Sequence, residues 1–595
     1  KEMNQDAVAK ALLGMAEALR TQDPPKLKMA IKCARSTLSM EISDEMKAIC
    51  NLQLGKLLFF YTDNFELAKN HLQCAYDKMS AMGTFYTRDK MNAISMLADL
   101  HIHYQQWPLT SIKATIRHEI TTTRGFPALS NKLMFQLIEL MKIDKDVEGA
   151  IEMCQLAINS SHADPKMELY FRIAKTLVTY QLMHEEPDIS DVTRIGSMIK
   201  VMENSTTSDK AHLECIKDFY VCTKLAYMFY EGKSRTSRQL LRQIQKSQTS
   251  GETKIHGIRW LGEPSITLLA CVMNQICALV QSNTDRVEKY YHLVIKHADE
   301  IIFKSTRSPQ EPGVVRCINM IKMTTLEMMA CCNVLACRPQ KTLHNVRDML
   351  EWSNRTSGPL LTRYFTPHIH YILGLQCCYF RQHENAENHF RAAMKKLHKE
   401  DITAHNTMAL LNLNLAITYL NQLKMADYYE VSENLTAPKI SSCSQMLKNN
   451  VKLLSAFFAY ITNKLNECKL LSHEVLDDSK AEDFFRLHGL GLLLLSLVTD
   501  VDEKGVRPTV DWSKKSHDHV VILFSHSLYE KILLAAGYDP KSELMKMVVS
   551  EQLASRRMLS VENLTPLVAN MPASKLLQWF DGDPFKLLPR DETVL

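Results

Sequence analysis

An all-α fold, a divergent tetratricopeptide (TPR)-like helical-repeat superhelix or α-solenoid, is predicted by three features of this 595-residue sequence. First, turn-forming residues are scarce: the 18 glycines are about 3% of the chain against roughly 7% in average proteins, and the 19 prolines are also few. A β-rich protein would need more turns. Second, nearly every segment places apolar residues at i, i+3, i+4 and i+7, with short polar breaks between segments. Third, Thr366 to Met394, TPHIHYILGLQCCYFRQHENAENHFRAAM, carries a repeat signature around Gly374. Leu373 precedes the glycine, and Ala386, Phe390 and Ala393 follow where a second helix must pack against the first. Small residues let two antiparallel helices approach, and large ones plug the gap to the next repeat. Such a unit cannot bury its apolar face alone, so one repeat implies neighbours and a scaffold that binds.

In chain order, the opening KEMNQDAVAKALLGMAEALR is amphipathic with acidic residues among its basic ones, so no signal peptide is expected there. Position 1 is not Met, so native residues are expected to precede it. After Asp23-Pro24-Pro25, Asn51 to Tyr76 supplies Leu54-Gly55 followed by Ala68, Leu72 and Ala75, with one extra residue in the turn. Met96 to Ile120 fits loosely through Leu97-Ala98 and Ile112, Ile116 and Glu119. In Leu133 to Ala157, Ile138 takes the glycine slot, Ala150 and Ala157 follow, and Asp144 to Asp146 make the turn. His184 to Pro187, Lys246 to Pro264 (with Gly251, Gly257 and Gly262), Ser308 to Gly313 and Ser357 to Pro359 punctuate the centre. Beyond the Gly374 repeat, Ala416 takes the slot in Asn412 to Leu420, with a degenerate second helix around Ala426 to Val431. Val451 to Val475 gives Ala456, Cys468 and Val475. Asp500 to His517 reads as the longest polar break, with helices resuming at Val520 to Ala536 and Ser542 to Leu559. The last stretch, QWFDGDPFKLLPRDETVL, has lost helical period and is expected to cap the last helices or trail away. The copies recur more widely than the roughly 34-residue TPR period, so the array is divergent. The expected divisions are N-terminal repeats over 1–180, divergent central repeats over 181–360, C-terminal repeats over 361–500, terminal helices over 501–575 and a tail over 576–595.

Several functions are disfavoured. A net charge of +5, from 71 basic and 66 acidic residues, is too weak to argue for phosphate-backbone binding. The apolar runs Leu490 to Val498 and Val520 to Phe524 fall far short of the roughly 20 residues that span a bilayer. Without a signal peptide, the sixteen cysteines read as reduced, mostly core thiols, and Asn354, Asn434 and Asn563 as chance glycosylation matches. No CxxC occurs, and the pairs His101-x-His103 and His368-x-His370 diverge on a helix, so no metal site is expected. Gly489-Leu-Gly491 has no strand before it and reads as a close helix-packing point rather than a phosphate loop. No nucleophile elbow accompanies any Cys or His, so neither catalytic residues nor a cofactor nor a small-molecule substrate is expected.

In TPR arrays the concave wall comes from first-helix positions around the glycine slot. Here these are Leu52, Lys56 and Phe59; Lys132, Phe135, Glu139 and Lys142; and Tyr371, Leu375 and Cys378. Aromatics and lysines there suit an extended partner segment with apolar anchors and some acidic residues. Charge reversal at Lys56 and Lys142 is expected to spare the fold and weaken that binding. The packing positions are Gly55, Ala68, Ala75, Ala150, Ala157, Gly374, Ala386, Phe390, Ala393 and Ala416. Residues alone leave open a TPR adaptor of another large assembly, such as a ubiquitin ligase or transport complex, and an enzyme regulatory subunit.

The order of the segments is more specific. ALLGMAEALRTQDPPKLKMAIKC, NLQLGKLLFFYTDNFELAKNHLQCAY, LMFQLIELMKIDKDVEGA, HIHYILGLQCCYFRQHENAENHFRAAM and the late QWFDGDP resemble, in that order, the MAU chromatid cohesion factor family. The likeness fades over Pro187 to Glu252 and Asp500 to Leu559. The resemblance implies the small, TPR-type subunit of the cohesin loader, which forms a heterodimer by enclosing the extended N-terminal segment of the large Nipped-B/NIPBL-type subunit. It further implies action on cohesin and chromatin through that complex, in sister-chromatid cohesion and chromosome segregation. The expected location is the nucleus, and also the cytoplasm.

Overall fold

The computed structural model describes residues 5–122, 125–161, 164–183, 189–204, 210–246, 263–305, 312–356, 359–398, 401 and 403–588. The punctuators at 184–187, 247–262, 308–311 and 357–358 lie outside the described residues. Among the described residues there are helices and turns and no strand. The chain divides into two compact units, 1–223 with 247–266 and 297–319, and 224–246 with 267–296 and 320–595.

In the first unit, each helix from Gln5–Arg20 to Pro165–Val178 packs against the next in sequence. Asp44–Tyr61, Thr87–Tyr104, Pro127–Ile143 and Pro165–Val178 form a row, backed by Phe65–Ala81, Leu109–Thr122 and Val147–Ser160. Local chemistry sets the starts. The Ser43 hydroxyl accepts from the Met46 amide and Asp146 from the Gly149 amide at 3.0 Å, while Pro127 and Pro165 occupy first-turn positions that need no amide hydrogen. One core runs through the unit, from Leu54 and Leu72 through Leu97, Leu100, Leu133 and Leu137 to Tyr170 and Phe171. Buried Glu119 is matched by the Tyr76 hydroxyl at 2.9 Å and Lys90 Nζ at 2.9 Å, which offset the cost of its desolvation.

The second unit continues the pattern through Pro359–Tyr379, Ala404–Asn421, Gln445–Ile461 and Phe485–Val498, backed by His383–Lys396, Met425–Ser432 and Leu465–Ala481. Within the pairs, a recurrent tight turn joins the helices. Lys145 in the first unit, and Ser282, Cys337, Arg381, Leu423 and Asn463 in the second, adopt left-handed backbone with φ between 52° and 59°. The amide of the following residue reaches five residues back, as in Gln382 N to Cys377 O at 2.9 Å and Lys424 N to Tyr419 O at 3.0 Å. This is the Schellman closure, which satisfies the last carbonyls of the first helix and reverses the chain within three residues. The turn after Tyr61 lacks it: Thr62 is extended, accommodating the extra residue seen in the sequence.

The row in the second unit returns on itself. Ser234 Oγ donates to the Glu482 carbonyl at 2.8 Å, Arg238 pairs with Asp483 at 3.0 Å, and Arg486 on the Phe485–Val498 helix interacts with Tyr371 and Tyr379 on Pro359–Tyr379. One expectation needs correction and another needs extending. Asp500 to His517 is no polar break but contains the helix Glu503–Ser516, whose Val506, Thr509, Val510 and Ser513 are buried and whose first turn is capped by Asp502. Its many charges lie on the opposite face and mask the helical period. The described part of the final stretch, up to residue 588, reaches past the last helix Val561–Ala569, which it also contacts. Residues 572–579 fold back onto Pro339–Arg355 and Pro359–Tyr379, burying Leu576, Leu577 and Trp579 in the core of the second unit.

Candidate functional site

The packing positions set how closely the helix pairs approach. Ala68, Ala75, Ala150, Ala157, Ala386, Phe390, Ala393 and Ala416 have no exposed surface. A Cβ added at Gly374 would fall 2.5 Å from the Phe390 ring, and one at Gly55 would fall 2.8 Å from Leu72. Ala456, Cys468 and Val475 are also fully enclosed. Gly489 and Gly491 lie against Val521 and Leu476, as close helix-packing points do.

The residues assigned to a concave wall have three fates. Leu52 and Phe59 are core, only 3% and 4% exposed, and offer nothing to a partner. Their helix, Asp44–Tyr61, is apolar around its circumference and is packed from both sides by Leu27–Thr37 and Thr87–Tyr104, so wall positions become core. Lys56, Lys132, Phe135 and Glu139 remain half-buried or exposed. Burial pushes the Lys56 ammonium below its ordinary range, against the opposing pull of Asp89. Phe135 stacks on Phe171 at 4.3 Å, and Lys132 Nζ lies 4.0 Å from Asp99. Lys142 is only 6% exposed and pairs with Glu139 at 3.0 Å, so reversing its charge would set a carboxylate against Glu139 in a buried setting. The expectation that such a change spares the fold is therefore withdrawn.

In the second unit, Tyr371, Leu375 and Cys378 lie half-buried along one face of Pro359–Tyr379. The same face carries residues that the sequence reading missed. His368 Nδ1 lies 2.7 Å from Glu327, and Tyr364 stacks on His368 at 5.1 Å. Burial pushes His368 down, but the Glu327 carboxylate outweighs it and the net shift is upward. Burial raises the Tyr371 and Tyr379 hydroxyls above their ordinary range and the Cys378 thiol to about 11. Tyr364 and His368 extend the Tyr371 line by helical spacing, and that signal could have found them. Arg486 and Asp518 could not be found this way, because only the return of the row brings them there. Among the described residues no group of His, Cys, Asp and Glu could hold a metal, and no helix is long and apolar enough to cross a membrane.

The face therefore offers aromatic, aliphatic and a few charged groups, suited to holding a peptide. The profile of the family described as cohesin loading factor matches residues 8–537. The MAU2 chromatid cohesion factor homolog of Drosophila ananassae is 22% identical over 604 residues, covering 98% of this chain and 90% of that protein. The homolog of Aedes aegypti is 23% identical over 611 residues, covering 98% and 93%. Among solved structures, Scc4 in complex with Scc2n and Ctf19n superposes with a TM-score of 0.56 at 8% identity, covering 94% of this chain and 98% of Scc4. Scc4 in complex with Scc2n gives 0.55 at 9% identity, covering 95% and 99%. At such identities the structural likeness establishes a shared fold.

Proposed function

This chain belongs to the cohesin loading factor family, and we propose that it is the small, non-catalytic subunit of the cohesin loader, enclosing the extended N-terminal segment of a Nipped-B-type large subunit. The observation that carries the reading is the family match over residues 8–537, together with the half-buried peptide-like faces in both units. Scc4, which shares the fold, was solved bound to Scc2n. A long segment laid in a helical groove buries a large area through many modest contacts, which offset its ordering entropy. Lys56, Lys132, Phe135 and Glu139 in the first unit and Tyr371, Leu375 and Cys378 in the second would line its path. The pair would place cohesin on chromatin in the nucleus, supporting sister-chromatid cohesion and chromosome segregation.

Pull-down with an N-terminal fragment of the large subunit tests this. The expected result is a stoichiometric complex that withstands gel filtration. Failure of the tagged chain to recover that fragment, together with its failure to co-purify with cohesin, overturns the reading.

A further inference from the structure

Arg486 opens the Phe485–Val498 helix, and its side chain keeps 42% of its surface accessible. Asp518 holds it by one edge only, Nε to Oδ2 at 2.5 Å. The other oxygen of Asp518 caps the His519–Ala535 helix, accepting from the Val520 amide at 2.8 Å and the Val521 amide at 3.4 Å. The carboxylate charge is thus shared between a helix start and one guanidinium edge. Among the described residues no hydrogen bond engages the terminal nitrogens of Arg486, which leaves a fixed fork of N–H donors. Beside it, the Tyr379 hydroxyl is buried and, among the described residues, has no hydrogen-bond partner, though Asp518 and Arg486 both act on it. A buried hydroxyl left unpaired is destabilising, so a group absent from the free chain is its natural partner. Tyr371 lies two turns earlier on the same helix and also interacts with Arg486, its hydroxyl hydrogen-bonded to Asn414. Leu375 and Cys378 supply apolar surface on that face.

We propose that Arg486 and Tyr379 form an anchoring subsite for the carboxylate of an Asp or Glu carried by an extended peptide segment lying along this face. Arg486 supplies its terminal N–H pair and Tyr379 its hydroxyl, while Tyr371, Leu375 and Cys378 hold the apolar residues that flank the acid. The inference rests on the partner-segment reading above and adds a defined acidic position to it.

The test uses the full chain and a fluorescent N-terminal fragment of the cognate large subunit, followed by anisotropy, with each Asp and Glu of the fragment replaced in turn by its amide. One position is expected to lose about tenfold or more in affinity, and that loss should vanish against Arg486→Gln. Tyr379→Phe should weaken binding roughly two- to tenfold without lowering the thermal midpoint, because it deletes a hydroxyl that is unpartnered in the free chain. Should Arg486→Gln lower the midpoint by stranding Asp518, Arg486→Lys keeps the charge and should still lose most of the coupling to that acid. The subsite is overturned if no acidic position couples to Arg486, or if Tyr379→Phe binds with full affinity. If the unaltered chain fails to bind any fragment, the partner-segment reading itself is wrong and the subsite falls with it.

Discussion

Gly374 and the histidine pair show how much depends on single atoms. Gly374→Ala puts a methyl 2.5 Å from the rigid, buried Phe390 ring, and overpacking of this kind should lower stability by about 1–3 kcal/mol in thermal or urea unfolding. Adding Phe390→Leu should recover part of the loss; no rescue would mean the strain lies elsewhere. His389 Nε2 donates to the Leu577 carbonyl at 3.0 Å, so its Nδ1 must accept, 3.2 Å away, from His370 Nδ1. That assignment leaves His370 Nε2 unprotonated and, among the described residues, buried without a partner, in a ring that stacks on Trp579 with centroids 4.3 Å apart. Burial lowers His389 to about 4 and His370 further still. An unfolded histidine protonates near 6.5, above the folded value, so the folded state binds fewer protons and loses stability as pH falls below about 6.5. Each histidine contributes a slope of about 1.4 kcal/mol per pH unit, down to its folded value. His370→Leu should therefore flatten the acid limb of the stability curve, and an unchanged limb would refute the neutral assignment.

At the scale of elements, the helix-to-helix turns carry strain that glycine would relieve. Leu423 is 70% exposed and holds φ at 56°, a region that disfavours residues with a Cβ by roughly 1 kcal/mol. Leu423→Gly should raise stability by about 0.5–1 kcal/mol, less what glycine adds to unfolded-chain entropy. A lower midpoint would show that the leucine packs more than its exposure suggests. The helices themselves were legible, because Leu373, Ala386 and Phe390 repeat with the period that buries one face. The turn at Asp144 to Asp146 was legible from its aspartates, but those at Arg381, Leu423 and Asn463 were not, since these residues carry no glycine signal and the hydrogen bonds that close the turns are backbone bonds. The wall was half legible: Tyr371 follows from spacing, whereas Leu52 and Phe59 became core because neighbouring helices cover both sides of theirs.

At the scale of the molecule, a helical repeat is held chiefly by contacts between neighbours in sequence, and the second unit departs from that rule. Trp579 stacks on His370, its indole N–H donates to the Gly582 carbonyl at 3.1 Å, and Leu577 meets Cys377 and His389. No local pattern in QWFDGDP foretells this, because the surface it covers lies far back in the chain. Trp579→Ala should cost about 3–5 kcal/mol and expose residues 561–588 to limited proteolysis, while the first unit melts as before. Loss of the first unit's transition as well would show that the clasp supports more than its own unit. The contact between His389 and Leu577 spans 188 residues. During synthesis at 5–20 residues per second, the Gly374 repeat must therefore wait roughly 10–40 s with its clasp surface bare. A nascent chain stalled in that interval presents His370, Cys377 and His389 to whatever chaperone attends the ribosome.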